Sequence, residues 1–401
     1  MTTTEDRPGR TFVELTDNGT FCALPWLHLS TSVDGVWARC CVDATAYHDE
    51  YYGQPNEPAF LLEEDSVGCV ANSRYARDNP QESRGFQEAF NSPAMKRTRL
   101  AMLDGEKVPA CKYCYLREAS GGESYRQQVN RNPPAQADMD ALLAVTAPDG
   151  FLPGFPSYLD LRFGNSCNLS CIMCGFPTSS RWGVEKRVHW MPANIDPYRD
   201  DDALWEELGR NADKLRRIYF AGGEPFMQPL HFKALDLFVS SGAASHIELF
   251  YNSNLTIAPA GIFDKLRLFK SVVVGASCDG TGATFEAIRR GAKWAEFVNN
   301  VDLFRQHVKV TLQVAPQRDN IHEIGSILEF AQSREIEVDL RNFVHFPEEL
   351  SARNLPLEAR RTHIVELRQL ADECNRTGRP NEADHLGLLV EFLRAGDAET
   401  Q

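Results

Sequence analysis

The pattern of apolar and polar residues changes at about residue 157. From Tyr158 onward, short β-branched or aromatic runs alternate with longer stretches of helical spacing, which is typical of βα units with parallel strands. Six strands are predicted, at Tyr158–Phe163, Ile218–Ala221, His246–Asn252, Ser271–Ser277, Val308–Val314 and Glu337–Val344. The main helices predicted between them are Asp201–Arg217, His231–Ser240, Thr284–His307 and Glu323–Ser333. We therefore expect an α/β fold, either a partial (βα)6 barrel or an open wound sheet.

The regions on either side of these units differ from them in composition. Pro and Gly are dense in Asn132–Ala135 and in Pro148–Gly154, which predicts a linker at residues 131–156. Residues 1–130 are then expected to form a separate small α+β domain, and residues 157–350 the strand–helix domain. Apolar residues at helical spacing beyond Pro356 predict a helical extension over residues 351–401.

Charge and composition exclude several classes of function. The 401 residues include 42 Lys and Arg against 56 Asp and Glu, a net charge of −14, which would repel nucleic acid and anionic membranes. No secretory leader or membrane-spanning stretch is found, so we expect a cytoplasmic protein. Eleven cysteines in a reducing compartment indicate metal ligands or reactive thiols rather than disulfides.

Three of these cysteines lie close together just after the first predicted strand. Cys167, Cys171 and Cys174 have the spacing C-x3-C-x2-C in a loop that can turn all three thiols inward. Three thiolates without a nearby fourth can leave one iron of a [4Fe–4S] cluster open to another ligand. The alternative is a zinc loop or a set of buried structural thiols, although zinc sites prefer pairs of C-x2-C.

Further motifs follow the next predicted strands in order. They are Ala221-Gly222-Gly223-Glu224-Pro225, Asn252-Ser253-Asn254-Leu255, Ser277-Cys278-Asp279-Gly280 and Ile288-Arg289-Arg290-Gly291. Ligands collect at the carboxyl ends of parallel strands, so these segments are expected to border one site. Each of these motifs, taken alone, also has a purely structural explanation, such as a turn or a solvated helix residue.

Together with the cysteine spacing, these motifs resemble the radical S-adenosylmethionine (SAM) superfamily. The resemblance implies a partial (βα)6 barrel and a [4Fe–4S] cluster on Cys167, Cys171 and Cys174, with SAM bound to its open iron. It also implies a flavodoxin- or ferredoxin-type electron donor. The residues implied in SAM binding are Met173 near the adenine, Gly222, Gly223 and Glu224 at the amino group, Asn254 as an amide, Ser277, and Arg290 at the carboxylate or ribose. Met173 and Leu255 depart from the aromatic residue and the glycine usual in the family.

Four more cysteines form a second pattern in the first 130 residues. Cys22 and Cys40 flank a predicted hairpin, and Cys111 and Cys114 form a C-x2-C pair. From spacing alone, zinc and a cuboidal iron–sulfur cluster both fit four thiolates. The spacing resembles the twitch or shortened SPASM domain, which implies an auxiliary [4Fe–4S] cluster, although that domain usually follows the barrel. Cys40 fits the glycine spacing better than Cys41.

The resemblance implies that SAM is cleaved to a 5′-deoxyadenosyl radical that abstracts hydrogen from an unactivated C–H bond. The substrate radical then has two fates. For oxidation, Asp279 is the candidate base, although it can equally cap the following helix. For epimerisation, Cys278 is the candidate hydrogen donor, although strand alternation places it on the face opposite Ser277 and Asp279.

The substrate is less determined by the sequence than the radical chemistry. The residues before Cys22 are too few for a peptide-binding module, which favours a small molecule. The favoured reaction is epimerisation of a sugar or cyclitol unit in natural-product biosynthesis. The alternatives are dehydrogenation of such a substrate, radical modification of a peptide, and a non-catalytic iron–sulfur or zinc protein.

Overall fold

The computed structural model describes residues 10–43, 66–119, 122–133, 137–175, 178–186, 194–345 and 347–395. Its eight strands are β1 (His28–Thr31), β2 (Trp37–Ala38), β3 (Tyr158–Leu161), β4 (Arg217–Phe220), β5 (Glu248–Ser253), β6 (Ser271–Ser277), β7 (Lys309–Gln313) and β8 (Glu337–Asp339). They form one sheet in the order β2-β1-β3-β4-β5-β6-β7-β8. All neighbours from β1 and β3 through β8 pair in parallel, and only β1 and β2 are antiparallel.

Seventeen α-helices accompany these strands among the described residues. Before β3 they are α1 (Phe12–Thr16), α2 (Leu24–Leu27), α3 (Arg74–Asp78), α4 (Phe86–Phe90), α5 (Pro93–Leu103), α6 (Lys112–Ala119), α7 (Tyr125–Arg131) and α8 (Met139–Ala144). After β3 they are α9 (Ser180–Lys186), α10 (Asp202–Arg210), α11 (Pro229–Ser240), α12 (Ile262–Leu266), α13 (Gly282–Ile288), α14 (Trp294–Phe304), α15 (Ile324–Gln332), α16 (Leu357–Arg376) and α17 (Pro380–Ala395).

Short 3-10 turns connect several of these elements. They are Pro80–Glu82, Pro109–Cys111, Ala212–Lys214, Pro225–Met227, Ala243–His246, Ile321–Glu323, Glu348–Leu350 and Ala352–Asn354. Among the helices of the described ranges, none is long and apolar enough to cross a bilayer.

Strands β3 to β8 with their helices form the predicted α/β fold, a partial barrel of six parallel strands. Three predicted elements are shorter than expected. The helix predicted over Asp201–Arg217 ends at Arg210, because a 3-10 turn and then β4 follow it. The last strand ends at Asp339 because its partner β7 ends at Gln313, the residue paired with Asp339. The helix predicted over Thr284–His307 divides into α13 and α14, because Gly291 between them has a φ of +98°.

The N-terminal segment shares the sheet of the barrel. Strand β1 pairs in parallel with β3, with His28 opposite Tyr158 and Ser30 opposite Asp160. The predicted hairpin is present as β1 and β2, joined through a turn in which Gly35 has a φ of +86°. Residues 1–130 therefore extend the barrel sheet, whereas we expected a separate unit. The predicted boundaries stay predictions, and residues 1–9, 44–65, 120–121, 134–136 and 396–401 of the predicted domains lie outside the described ranges.

The two faces of the barrel sheet differ in exposure. In β4 to β8, alternate residues such as Ile218, Leu249, Val274 and Leu312 are buried in a core that includes helix residues. The intervening residues are half-buried or exposed. We call this second face the open face and define it by Tyr219, Asn252, Ser277, Gln313 and Asp339. Its residues are mostly polar, so it is the face on which a polar ligand can lie.

Two glycines at the end of the chain offer a test of the C-terminal helices. In α17, a Cβ added at Gly387 meets no atom within 4 Å, so Gly387→Ala should stabilise the protein by about 0.5–1 kcal/mol through helix propensity. Gly378 lies after α16 in equally open space but has a φ of +75°, so Gly378→Ala should destabilise by about 1–2 kcal/mol. Urea unfolding midpoints measure both, and shifts of the same sign would contradict this assignment.

Candidate active site

The three predicted cluster thiols lie in one loop after β3. Cys171 is buried, Cys167 and Cys174 are half-buried, and the N–H of Cys174 donates to the carbonyl of Cys171 at 3.0 Å. The indole N–H of Trp182 in α9 donates to the same carbonyl at 2.8 Å. Met173, the residue predicted to pack near adenine, is half-buried in this turn. The local backbone thus holds the thiols together.

The thiols also interact electrostatically. A hydrogen bond from the Cys174 thiol to the Cys171 sulfur lowers the pKa of Cys171 and raises the pKa of Cys174. Burial, with smaller contributions from Glu224 and Cys171, raises the pKa of Cys167 to about 11. Such thiols need a nearby positive charge to exist as thiolates, and a bound metal cluster provides it.

The loop after β4 is joined to the cysteine loop by backbone hydrogen bonds. The N–H of Gly223 donates to the carbonyl of Gly164 at 3.0 Å, and the N–H of Glu224 donates to the carbonyl of Ser166 at 2.8 Å. A Cβ at Gly223 would lie 2.2 Å from the Ser166 carbonyl oxygen, and one at Gly222 would lie 2.8 Å from that of Gly164. The two glycines are therefore required for close approach to the cysteine loop.

Glu224 and Asn254 lie beside this junction. The buried Glu224 carboxylate accepts hydrogen bonds from the N–H of Phe226, the hydroxyl of Ser253 and the N–H of Asn254, at 3.1, 2.8 and 2.7 Å. Burial raises its pKa to about 7. The Asn254 amide N–H donates to Asn168 at 2.9 Å and lies 3.8 Å from the Cys167 sulfur. The structure thus brings the predicted acid and amide to the cluster loop.

The backbone after Asn254 adopts a conformation that favours glycine. Leu255, which stands where the family usually has glycine, has a φ of +50° and is fully buried. A leucine in this left-handed region costs about 1–2 kcal/mol, and burial of its side chain offsets that cost.

A buried ion pair lies on another side of the cysteine loop. Asp279 Oδ2 is 2.6 Å from Arg289 Nη2, and Arg289 Nη1 is 3.8 Å from the Cys171 sulfur. Asp279 Oδ1 also accepts a hydrogen bond from the N–H of Ala315 at 2.7 Å. Arg290, the predicted SAM ligand, has an exposed side chain and contributes its carbonyl to the N–H of Ser170 at 3.0 Å. The guanidinium at the cluster loop is therefore that of Arg289.

Cys278 and Ser277 occupy different environments. Ser277 ends β6 on the open face and is half-buried, whereas Cys278 is fully buried in the apolar core. Its thiol donates to the carbonyl of Gly280 at 3.4 Å, and burial raises its pKa to about 12. The alternation expected from sequence is thus present, with Cys278 on the side of Val274 and Ala276.

The second set of thiols lies where the N-terminal segment meets the barrel. Helix α7 fixes the chain beside Cys22, because Arg126 and Asn130 both donate to the carbonyl of Phe21, at 2.8 and 2.7 Å. Cys111 and Cys114 lie at the start of α6. Cys40 follows β2, beside the buried ion pair Arg39–Asp43 of 3.0 Å.

These four thiols influence one another's ionisation. Burial raises the pKa of Cys22 to about 12, with a contribution from Cys114. Burial also raises the pKa of Cys40, with contributions from Cys41 and Asp43 and then from Cys111 and Cys114. It likewise raises the pKa of Cys111, with contributions from Cys22, Asp43 and Cys114. The described residues contain no group of three or more His, Cys, Asp or Glu side chains arranged to hold a single metal ion.

The N-terminal segment reaches both edges of the barrel sheet. Burial and then the Asp160 carboxylate raise the pKa of Cys41 to about 12, and Arg162 and Cys114 also act on it. Arg117, one turn after Cys114 in α6, interacts with Asp339 and Arg341 beyond β8, and its guanidinium lies 5.6 Å from the Phe343 ring centre. Cys41 therefore lies near the first barrel strand, and α6 brings Arg117 near the last.

Comparison with known proteins identifies the barrel. Residues 161–331 match the model of the family described as the Radical SAM superfamily. These residues form a radical SAM domain. The match begins at the last residue of β3 and runs through α15, so it includes the cysteine loop and every strand-end motif described above. No curated protein sequence matches the chain.

Several solved structures are similar to part of the chain, each with a TM-score below 0.5. One is native anSMEcpe with bound AdoMet and the Cp18Cys peptide, at 16% identity over 55% of this chain and 61% of that chain, with a TM-score of 0.43. Another is Streptococcus suis SuiB bound to S-adenosylmethionine, at 13% identity over 73% of this chain and 62% of that chain, with a TM-score of 0.42. A third is the radical S-adenosylmethionine methyltransferase TsrM from Kitasatospora setae, at 11% identity over 45% of this chain and 36% of that chain, with a TM-score of 0.30. The chain spans about three fifths of the length of the first of these structures.

The residues around the radical SAM cysteines fit a [4Fe–4S] cluster and SAM. Three thiols converge from one loop, which is the donor set that leaves one iron open. Among the described residues, both amide atoms of the fully buried Gln317 and Nε of Arg289 lack a hydrogen-bond partner. Gln317 follows β7, two residues beyond Ala315, which binds Asp279. Buried polar atoms cost about 1–3 kcal/mol when left unpaired, and a polar ligand such as SAM removes that cost.

Sequence reasoning missed Arg289 and Gln317. The chain has two adjacent arginines before Gly291, and helical spacing does not distinguish which of them points inward. The sequence signal for Gln317 was weaker still, because a single glutamine in a polar loop belongs to no motif with a recognisable spacing. Arg289 was identified by its contacts with Asp279 and Cys171, and Gln317 by its buried amide without a hydrogen-bond partner.

The close approach at Gly223 predicts a specific loss. Gly223→Ala should displace the cysteine loop, because its Cβ would lie 2.2 Å from a backbone oxygen. We expect at least a twofold loss of iron and sulfide bound at the radical SAM site after anaerobic reconstitution. Gly209→Ala in α10 is the matched control, because its Cβ makes only an ordinary 3.6 Å contact with Leu237. Full iron binding by Gly223→Ala would show that the glycine is not needed for this junction.

Proposed function

We propose that the protein is a radical SAM enzyme that abstracts hydrogen from an unactivated C–H bond of a polar substrate, with an auxiliary cluster on its N-terminal thiols. The observation that carries the proposal is the convergence of the Cys167, Cys171 and Cys174 loop with the loop containing Glu224, inside a radical SAM domain. The activity, substrate and partners of the whole protein are part of the proposal.

When bound and reduced, the cluster with its SAM supplies a 5′-deoxyadenosyl radical that removes a hydrogen atom from the substrate. The chain's own residues prepare this step. Cys167, Cys171 and Cys174 hold the cluster, and the strand ends around it keep the reacting groups close and exclude water. A flavodoxin- or ferredoxin-type protein delivers the electron, and a reducing compartment such as the cytoplasm keeps the cysteines available as ligands.

Glu224 has the capacity to bind the SAM amino group. A carboxylate offers about four acceptor positions, and three protein donors occupy three of them. One position on Oε2 is left for the ammonium. Met173, Gly222, Gly223, Asn254, Ser277 and Arg290 remain the other proposed SAM contacts. Of these, the two glycines act through the backbone junction, and Arg290 is the one whose side chain is exposed.

The auxiliary cluster is proposed to be held by Cys22, Cys40, Cys111 and Cys114. Their mutual influence on pKa places them within electrostatic reach of one another. Asp160 is the strongest electrostatic neighbour of Cys41, whereas Cys111 and Cys114 both act on Cys40, which favours Cys40 as the ligand. A cluster here would border the open face and could accept an electron from a substrate radical.

The open face favours a small polar substrate such as a sugar or cyclitol. A Cβ at Gly275 would lie 2.7 Å from Gln313 Cγ and 2.9 Å from Asn252 Oδ1, so these amides converge on one spot of the face. Amide, hydroxyl and carboxylate groups suit a polyhydroxylated ligand. A basic peptide is the second substrate class, because the chain carries a net charge of −14.

The buried position of Cys278 favours dehydrogenation over epimerisation by that thiol. Atoms and electrons balance in a dehydrogenation if the substrate loses one hydrogen atom to the radical, one proton to a base and one electron to the auxiliary cluster. Asp279, the predicted base, has both carboxylate oxygens engaged by Arg289 and Ala315. Epimerisation remains the second candidate because Cys41, which is half-buried and interacts with Tyr219 of the open face, offers another thiol.

Metal analysis and product analysis test these proposals in sequence. Anaerobic reconstitution should give about eight iron and eight sulfide per chain, and about four of each after Cys111→Ala with Cys114→Ala. Stoichiometric zinc would refute both cluster assignments. Formation of 5′-deoxyadenosine from SAM and reductant separates an enzyme from an electron carrier or scaffold.

Turnover of candidate sugars, cyclitols and basic peptides in deuterium oxide then distinguishes the products. Loss of two hydrogens in the mass of the product indicates dehydrogenation. Uptake of one solvent deuterium without such a loss indicates epimerisation, and its disappearance in Cys41→Ala but not in Cys278→Ala would assign the donor. Turnover abolished by Cys278→Ala with SAM cleavage retained would restore Cys278 to this role.

The pKa of Glu224 predicts a pH dependence of SAM binding. Because burial raises this pKa to about 7, the carboxyl group is largely neutral below pH 7 and charged above it. SAM affinity of the reconstituted protein should therefore rise between about pH 6 and 8, by up to about tenfold. Equilibrium binding over this range measures the effect, with Glu224→Gln expected to bind more weakly and without the rise. A flat profile in the unaltered protein would contradict a contact with the ammonium group.

A further inference from the structure

Arg289 has no assigned role in the proposed reaction, yet its guanidinium lies between a carboxylate and a cluster thiol. Nη2 is 2.6 Å from Asp279 Oδ2, and Nη1 is 3.8 Å from the Cys171 sulfur. The side chain is 11% exposed and Asp279 is 0% exposed. A charge pair at this depth is weakly screened by water, so it acts strongly on whatever lies beside it.

The backbone on both sides of Arg289 is fixed to the cysteine loop. The N–H of Ile172 donates to the carbonyl of Ile288 at 2.9 Å, and the N–H of Ser170 donates to the carbonyl of Arg290 at 3.0 Å. A Cβ at Gly291 would lie 3.3 Å from the Asn168 carbonyl oxygen. The segment between α13 and α14 therefore follows the cysteine loop closely, and Arg289 cannot move without it.

The groups that act most strongly on the charge of Arg289 are Asp279 and the thiols of Cys171, Cys174 and Cys278. Its positive charge acts on Cys174 and Cys278 as well as on Cys171, and it also lowers the pKa of Glu224 against the larger effect of burial. Asp279 contacts the guanidinium through Oδ2. The N–H of Ala315 donates to Asp279 Oδ1 at 2.7 Å, which fixes the carboxylate. Arg289 is thus the cation of this site, with its orientation set by Asp279.

We propose that Arg289 is a positioning residue that raises the reduction potential of the cluster held by Cys167, Cys171 and Cys174, and that Asp279 sets its orientation and offsets part of its charge. Reduction adds one electron to the cluster, so a fixed positive charge beside a ligand sulfur stabilises the reduced form more than the oxidised form. The Nη1 N–H group of Arg289 directed at the Cys171 sulfur also stabilises the reduced form. This proposal rests on the cluster of the proposed function.

Removing each partner of the pair should shift the potential in opposite directions. Arg289→Gln removes the positive charge, and we expect about a tenfold smaller equilibrium constant for one-electron reduction, a shift of about 59 mV to lower potential. Asp279→Asn leaves the arginine uncompensated, so the potential should rise. Arg289→Lys keeps the positive charge but lacks the planar guanidinium with its several N–H groups. Its cluster potential should therefore lie between that of the unaltered protein and that of Arg289→Gln.

The measurement is an anaerobic redox titration of the reconstituted protein without SAM, followed by electron paramagnetic resonance. The auxiliary thiols Cys22, Cys40, Cys111 and Cys114 are replaced by alanine in every sample, so one cluster is observed. Arg290→Gln is the matched control, because it removes the same charge from the adjacent, exposed residue and should leave the potential unchanged. Iron and sulfide content is measured in parallel.

Opposite shifts for Arg289→Gln and Asp279→Asn, with none for Arg290→Gln, support the proposal. Equal potentials in all variants overturn it, as does a shift of the same sign in both members of the pair. Loss of the cluster from both variants would show a purely structural ion pair and also overturn it. Absence of any reducible cluster in the parent protein is a separate outcome, since it overturns the proposed function itself.

Discussion

The arrangement of the site depends on backbone hydrogen bonds that hold the cysteine loop from two sides. On one side, Gly223 and Glu224 donate to the carbonyls of Gly164 and Ser166. On the other, Ser170 and Ile172 donate to the segment between α13 and α14. Buried backbone groups must be paired, so these bonds fix the loop without using any of the thiol side chains. The thiols are left for a ligand, and Glu224, Asn254 and Arg289 are brought to the loop by the segments that hold it.

Backbone pairing also joins the N-terminal segment to the barrel. Strand β1 adds to the barrel sheet beside β3, and α6 carries Arg117 to the residues beyond β8. The segment therefore contacts the first and the last strand of an open barrel, and its Cys41 lies near Asp160 and Tyr219 of the sheet. An auxiliary cluster in this place would have access to the open face even though its domain precedes the barrel in the chain.

The sequence predicted the parts of this structure that repeat or have fixed spacing. The order of the six barrel strands and the cysteine loop follow from hydrophobic alternation and from C-x3-C-x2-C, and the burial of Cys278 follows from the alternation of β6. The joining of β1 to β3 was not predictable, because a four-residue strand pairs through backbone groups that carry no sequence signal. Arg289 could not be distinguished from Arg290 for a similar reason, since the break at Gly291 decides which side chain turns inward.

Anomalous diffraction from anaerobically grown crystals at the iron absorption edge tests the central claim most directly. The account predicts iron density bonded to the sulfurs of Cys167, Cys171 and Cys174, with SAM on the iron that no cysteine ligates and Arg289 beside the Cys171 sulfur. Second iron density is predicted among Cys22, Cys40, Cys111 and Cys114. Anomalous signal from zinc at the first three sulfurs, or a disulfide between any two of them, would contradict it.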